Sequence, residues 1–210
     1  MSVAPRRKSS RVRPRDEVTA LLVPRRSGLR VSDRVFARLC RDNRDLRLER
    51  TARGELIVMP PAGTESGGQN AKATTRLGVW AEADGTGEYF DSSTGYTLPN
   101  GATRSPDASW ITLERWNALS PEDRKRFAPI CPDFVVELMS PSDTREEVRA
   151  KMREWIDQGA RLGWLLDPKA VEVEIYRPGR PPETLNQPQS LQGEHVLPGF
   201  VMELKGILFP

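Results

Sequence analysis

Apolar residues recur along the chain with two periods, one typical of strands and one typical of helices. The predicted strands are residues 46–49 and 55–59, which form a hairpin, then 88–90, 96–98, 107–112, 134–139, 162–166 and 171–176. One predicted helix begins at Val31, a second covers 69–83, and a later one extends from Asp143 to about Gln158. One or two further short helices are predicted between Trp116 and Phe127. Because strands and helices are interleaved, the pattern indicates an α/β or α+β fold with a mixed central β-sheet flanked by helices.

The most apolar segment of the chain is Phe134–Met139. Alternation places Asp133, Val135 and Glu137 on one face of this strand and only apolar residues on the other. A segment that is apolar on both faces is typical of a central strand covered on both sides. The segment Val196–Pro210, in contrast, shows only weak strand or helix signals.

Small and capping residues predict where two of the helices begin and end. Four small residues between positions 62 and 68 predict a loop before the helix 69–83. Asp143, with Glu146 three residues later, predicts the N-cap of the next helix. Gly159 predicts its C-cap.

Composition narrows the class of protein. The chain has 210 residues, which fits one domain, or one domain with a tail. No apolar run is long enough for a membrane helix, and the arginine-rich N-terminus lacks the apolar segment of a secretory signal. Two cysteines, Cys40 and Cys131, fit a reducing cytoplasm, so we expect a cytoplasmic protein. The single histidine, His195, gives little support to a histidine-based metal site or triad.

The net charge of +3 is unevenly distributed. Residues 1–30 hold nine basic and two acidic side chains, a net charge of +7, and the rest of the chain has a net charge of −4. We therefore expect a basic, mostly disordered tail over residues 1–26 and a single domain over 27–210. The tail is either a non-specific tether to phosphate or a solubilising extension.

Glu137 is the first candidate for chemistry. An ionised carboxylate in the middle of a buried strand costs several kcal/mol unless a cation, backbone donors or a metal compensates for it. Perturbed acids cluster at functional sites, which favours a functional role. The alternatives are a buried ion pair or an edge strand with one wet face.

Lys151 lies at the rim of the apolar stripe Val148, Met152, Trp155 and Ile156 of the helix after Asp143. From that position it can extend over the sheet toward Glu137. Alternatively, its stem covers apolar surface while its ammonium reaches water.

Two further acids lie near strand ends. Asp107 follows Ser105-Pro106 at the start of a strand, which places a carboxylate at the end of the sheet. Taken alone, a turn or capping aspartate is the better interpretation. Glu49 ends the first strand of the hairpin, where an ordinary exposed residue is the simple interpretation.

Together, several carboxylates and one lysine suit a hard divalent ion and a phosphodiester. Carboxylates hold Mg²⁺ or a similar ion such as Mn²⁺ while it keeps several waters. The ion activates one water and offsets charge on the phosphate. The lysine orients or deprotonates that water, or stabilises the developing negative charge.

The motifs, taken in order, resemble a known family, the Uma-type endonucleases of the PD-(D/E)XK restriction-endonuclease-like superfamily. The resemblance covers about residues 31–210. Its strongest pieces are Ser105-Pro106-Asp107, Pro132-Asp133-Phe134-Val135-Val136-Glu137, Ser140-Pro141-Ser142 and Lys151, supported by Trp155, Gly159, Trp164 and Leu166-Asp167-Pro168. The Glu49…Gly54-Glu55-Leu56 opening and the Leu197-Pro198-Gly199-Phe200 close are also similar to the family.

The resemblance implies that Asp107 and Glu137 are the metal-binding acids and that Glu49 completes the site. The lysine of the superfamily normally follows the second acid by two residues, where this chain has Met139. In families of this type it has migrated to the next helix, which points to Lys151. Many relatives also have a histidine near Gly67-Gly68-Gln69, and its absence leaves the role of that segment open.

The sequence therefore predicts a DNA endonuclease that depends on Mg²⁺ or Mn²⁺, with DNA as its partner. A homodimer is a family-level expectation, since each DNA strand is then cut by one subunit. The alternatives are a non-catalytic module that binds nucleic acid or protein with the same fold, or a metal-dependent phosphoesterase acting on small substrates. The acidic domain supports caution, because DNA binding usually requires a basic face.

Overall fold

A computed structural model describes residues 26–209, without the side chains of the first two. The strands are β1 Arg26–Arg30, β2 Arg47–Arg50, β3 Glu55–Met59, β4 Gly87–Asp91, β5 Tyr96–Thr97, β6 Thr103–Arg104, β7 Ala108–Thr112, β8 Phe134–Leu138, β9 Leu162–Asp167, β10 Glu172–Tyr176, β11 Glu183–Asn186, β12 Ser190–Gln192 and β13 Val201–Glu203. The helices are α1 Asp33–Asp42, α2 Thr64–Asp84, α3 Leu113–Asn117, α4 Pro121–Arg124 and α5 Arg145–Asp157.

A six-stranded sheet forms the centre of the fold, in the order β11-β10-β9-β8-β7-β4. All neighbours are antiparallel except β8 and β9, which are parallel. A parallel pair needs a crossover connection, and α5 provides it. Because β8 is buried along its whole length, the prediction of a central strand at this point is confirmed.

Helices cover both faces of this sheet, as the mixed α/β prediction requires. Phe134 and Val136 pack in one core with Leu77 of α2. Val135, which points to the opposite face, packs in a second core with Met152 of α5. The alternation read along β8 therefore directs Glu137 toward α5, the helix that carries Lys151.

A smaller antiparallel sheet, in the order β1-β3-β2-β6-β5, lies beside the first. Its centre is the predicted hairpin of β2 and β3. The chain leaves this sheet at β6 and enters the six-stranded sheet at β7, so residues 105–107 connect the two sheets. A third sheet pairs β12 with β13.

Two predicted helix starts are wrong. Helix α2 begins at Thr64, so Gly67 lies inside the helix rather than in a loop. The burial of one face of α2 outweighs the low helix propensity of glycine. The N-cap of α5 is Thr144 rather than Asp143, because the Asp143 carboxylate accepts hydrogen bonds from the backbone and hydroxyl of Ser140 instead.

Four short strands are absent from the prediction, namely β1, β6, β11 and β12, whereas β13 lies in the segment Val196–Pro210, where the sequence shows weak signals. The predicted tail over residues 1–26 lies outside the described residues, except that Arg26 begins β1. Cys40 and Cys131 are free thiols. None of the helices between residues 26 and 209 has the length and apolar character needed to cross a membrane.

The early start of α2 is testable with glycine substitutions. Gly67→Ala should raise the free energy of unfolding by up to about 1 kcal/mol, because alanine favours a helix interior. A Cβ at this position meets no atom within 4 Å. Urea denaturation measures the change, and a destabilised Gly67→Ala protein would contradict a helical Gly67.

Gly87→Ala is the matched control for these measurements. A Cβ on Gly87 would clash with the backbone oxygen of Ile111. This contact cannot be relieved by a side-chain rotation, so the substitution should destabilise the protein by about 1–3 kcal/mol.

Candidate active site

The four predicted site residues come from four elements and lie together. Glu49 is in β2, Asp107 directly precedes β7, Glu137 is in β8 and Lys151 is in α5. The ammonium nitrogen of Lys151 lies 2.9 Å from Glu137 Oε1 and 3.0 Å from Glu49 Oε1. It also donates a hydrogen bond of 2.8 Å to the carbonyl oxygen of Ser105. Lys151 thus joins both sheets and the segment between them.

Helix α5 directs Lys151 toward the sheet. Val148, Met152 and Trp155 form its buried stripe, and Lys151 lies at the edge of that stripe. The lysine side chain is only 17% exposed. The alternative in which its ammonium extends into water is therefore not what the structure shows.

Glu49 is buried rather than an exposed strand residue, with 2% of its surface accessible. Arg104 Nη1 donates to its Oε2 at 3.1 Å, and the backbone N–H of Ser105 donates to its Oε1 at 3.0 Å. Burial by itself would raise the pKa of Glu49, but the charges of Lys151 and Arg104 outweigh burial and lower it. Glu49 is thus held as a carboxylate.

Glu137 is buried in the middle of β8, with 5% of its surface accessible. Its Oε1 accepts a hydrogen bond of 2.7 Å from the indole N–H of Trp155, and its Oε2 accepts one of 3.0 Å from Lys151. Burial raises the pKa of Glu137 to about 7, against the attraction of Lys151, and the negative charges of Asp107 and Glu49 add to the increase.

Asp107 ties the start of β7 to the end of β8. Its Oδ2 accepts a hydrogen bond of 2.8 Å from the backbone N–H of Leu138, and its Oδ1 accepts one of 3.0 Å from the side-chain amide of Asn70. Burial raises the pKa of Asp107, although Lys151 and the Leu138 N–H oppose the increase. The Asp107 carboxylate therefore binds a backbone N–H of a strand distant in sequence rather than one of its own turn.

Lys151 is held in its charged form. Burial alone would lower the pKa of its ammonium group, but the charges of Glu137, Glu49 and Asp107 outweigh burial and raise that pKa above its ordinary value. An amine with a raised pKa is protonated at neutral pH, so Lys151 is a donor and a positive charge rather than a base.

Four further residues support the site and are not among the predicted site residues, namely Arg104, Glu154, Trp155 and Asn70. Arg104 bridges Glu49 and Glu154, with its Nη2 2.6 Å from Glu154 Oε2. Trp155 belongs to the predicted apolar stripe and to the motifs that resemble the family, but no sequence signal distinguishes a hydrogen-bonded indole from a packed one. Asn70 lies next to the glycine-containing segment 67–69, whose contribution was left open. Its contact with Asp107 spans 37 residues and has no local signal.

The site opens into a groove that all four predicted residues line. The groove is also lined by parts of the β2–β3 hairpin, by residues 59–66 and by residues 140–143. An extended ligand therefore has access to the buried carboxylates from one side.

The donor set fits a hard divalent cation. The charge of Asp107 helps to raise the pKa of Glu137, so the two carboxylates are close enough to repel each other, and a cation between them would relieve that repulsion. Mg²⁺ is typically held by one or two carboxylates while it keeps several waters. Between residues 26 and 209, no group of three or more His, Cys, Asp or Glu side chains is arranged to hold a metal, so a zinc-type site with three or four protein ligands does not fit.

Comparisons with known proteins agree with this architecture. A family model described as "Putative restriction endonuclease" (Uma2) matches residues 34–205. A solved structure from Anabaena variabilis, described as "a putative nuclease belonging to DUF820", superposes with a TM-score of 0.65 at 19% sequence identity. The match covers 77% of this chain and 89% of that one. Among the curated proteins, no significant match is found.

The hydrogen bond from Trp155 to Glu137 is testable by substitution. Trp155→Phe keeps an aromatic ring but removes the N–H donor, so a buried carboxylate loses a partner. The free energy of unfolding at pH 8 should fall by about 2 kcal/mol more than for a control that loses ring size alone. Urea denaturation measures the difference.

Trp164→Phe is that control, since Trp164 is equally buried and its indole nitrogen has no hydrogen-bond partner within residues 26–209. The difference in the free energy of unfolding between the two variants should become smaller at pH 5. At that pH, a pKa of about 7 leaves Glu137 protonated and its hydrogen bonds weaker. Equal losses for the two variants at pH 8 would show that the Trp155 hydrogen bond contributes nothing.

Proposed function

The chain belongs to the Uma2 family, described as "Putative restriction endonuclease", and we propose that it is a metal-dependent endonuclease that hydrolyses phosphodiester bonds in DNA. The observation that carries this proposal is the contact of the Lys151 ammonium with carboxylates from two sheets. A protonated lysine beside buried acids is costly to form as a structural feature, and it is suited to phosphate chemistry.

In this proposal, Asp107 and Glu137 hold a divalent ion, Mg²⁺ or Mn²⁺. When bound, the ion supplies a more acidic water and offsets negative charge on the phosphate. The bonds from Asn70 and from the Leu138 N–H fix the orientation of the Asp107 carboxylate. Trp155 fixes that of Glu137 in the same way. Preorganised carboxylates need no further reorganisation when substrate arrives.

Lys151 acts in this proposal as a donor to the phosphate, because its raised pKa keeps it protonated. Its three N–H groups are directed to Ser105 O, Glu137 and Glu49. It can therefore reach a phosphate oxygen only by giving up one of these partners. Arg104 holds Glu49 independently of Lys151, so the lysine can move without leaving Glu49 uncompensated.

The charge of the groove supports the need for a cation. Its lining includes eight acidic and four basic side chains. A polyanion meets net repulsion in such a groove unless positive charge is added. Divalent ions would therefore promote DNA binding as well as hydrolysis.

The test is cleavage of supercoiled plasmid by the pure protein in Mg²⁺ or Mn²⁺, with and without chelator. We expect nicked or linear products that disappear with chelator. Glu137→Gln and Lys151→Met should each reduce the rate at least about 100-fold, because each removes charge from the reacting centre. Circular dichroism checks that both variants are folded, since removing Lys151 leaves the buried Glu137 carboxylate without its cation.

Glu88→Gln and Lys169→Met are matched controls, because both residues are exposed and lie outside the groove. Both should cleave at the wild-type rate. Equal background nicking by wild type, Glu137→Gln and Lys151→Met would refute the nuclease and favour a non-catalytic module with the same fold.

A further inference from the structure

Arg47 faces the same groove as the site and has no role in the mechanism described so far. It lies in β2 two residues before Glu49, so strand alternation puts both side chains on one face of the smaller sheet. Their cross-strand partners in β3 are Met59 and Ile57, and all four residues line the groove. Arg47 is therefore positioned beside the carboxylates rather than on the outer surface.

The Arg47 guanidinium is unpaired within the described part of the chain. Its Nε is buried without a hydrogen-bond partner, and no carboxylate between residues 26 and 209 forms an ion pair with it. Buried polar groups are almost always hydrogen-bonded, and an unsatisfied one costs about 1–3 kcal/mol. An arginine that bears this cost while facing a groove indicates an acceptor that binds from outside.

The other cations of the groove differ from Arg47. Lys151 contacts two carboxylates, and Arg104 contacts Glu49 and Glu154, so both are neutralised by the protein. Arg53 lies at the exposed turn of the hairpin. Arg47 is thus a partly buried cation that forms no ion pair within residues 26–209, in a groove whose lining is mainly acidic.

Arg47 also acts electrostatically on the site. Its positive charge lowers the pKa of Asp107, against the larger effect of burial. A guanidinium that influences Asp107 without an ion pair lies near the reacting end of the groove, yet it keeps its donors for another group.

We propose that Arg47 binds a backbone phosphate of the nucleic acid next to the scissile position. This inference rests on the proposed nuclease function and adds the residue that positions its substrate. The planar fork of an arginine presents parallel N–H donors that match two phosphate oxygens. A positive charge in the groove beside the carboxylates also attracts the DNA strand toward them, against the repulsion of the acidic lining.

The experiment measures binding of a fluorescent DNA duplex by anisotropy over a series of salt concentrations. Ca²⁺ replaces Mg²⁺, because oxygen ligands hold it while it activates water less strongly, and a gel confirms intact DNA. Arg47→Gln should weaken binding about tenfold, the loss expected for one charge-assisted contact. It should also make the slope of log K against log salt shallower by about one, because one fewer phosphate is neutralised.

Two further variants separate binding from structure. Arg47→Lys keeps the charge but not the fork, so its slope should match wild type while its affinity falls between wild type and Arg47→Gln. Arg180→Gln, an exposed arginine outside the groove, should change neither quantity. Arg47→Gln should change thermal stability only slightly, since it breaks no internal hydrogen bond or ion pair within residues 26–209 and loses only the longer-range attraction to Asp107.

The outcomes distinguish this inference from the proposed function. An unchanged salt slope in Arg47→Gln, with wild type active on plasmid, overturns the role of Arg47 and leaves the nuclease intact. A shallower slope without Mg²⁺-dependent cleavage by wild type supports Arg47 and overturns the nuclease. A wild-type protein that neither binds nor cleaves DNA overturns both.

Discussion

The Lys151 ammonium is surrounded by acids that belong to different sheets. Glu49 comes from the five-stranded sheet and Glu137 from the six-stranded sheet, and Lys151 contacts both from α5. Burying either carboxylate alone would cost several kcal/mol. The lysine, together with Arg104 at Glu49, offsets the cost of burying both acids where the two sheets meet. Removing this one charge would leave Glu137 without a cation at the junction of the sheets, while Glu49 would keep only Arg104.

A chain of alternating charges extends from this lysine. Glu137 and Glu49 flank Lys151, Arg104 binds Glu49 on its other side, and Glu154 binds Arg104. Because Lys151 and Glu154 both lie on α5, the chain begins and ends on the same helix. Such a closed network fixes side-chain orientations more strongly than isolated pairs do. It is a support suited to a site whose groups must stay in place as substrate binds.

The charge distribution along the chain gains meaning from this arrangement. The domain after residue 30 has a net charge of −4, which argues against DNA binding when it is taken as an average. The groove concentrates acids around the site, and under the proposed function part of this negative charge would hold a divalent cation rather than repel substrate. Arg47, which has no ion pair within residues 26–209, is then a local exception in a groove lined mainly by acids.

Much of the fold follows from the regular spacing of apolar residues along the sequence. The hairpin of β2 and β3, the buried strand β8 and the helix α5 were predictable, because burial of one or both faces leaves a regular apolar period. The short strands β6 and β12 were not, because two or three residues are too few to show a period. The start of α2 was also mispredicted. The glycines indicated a loop, but the packing of one helix face extends the helix over Gly67.

For the site, the sequence determined the candidates and the tertiary structure determined their relations. Asp107, Glu137 and Lys151 were identifiable as candidates from motif order and from the apolar surroundings of Glu137. Glu49 looked exposed, and only the approach of the second sheet buries it. The hydrogen bonds of Asn70 and Trp155, and the unpaired state of Arg47, depend on residues brought together from distant segments. A side chain's type can be read from the sequence, but its partners are set by where the folded chain places its neighbours.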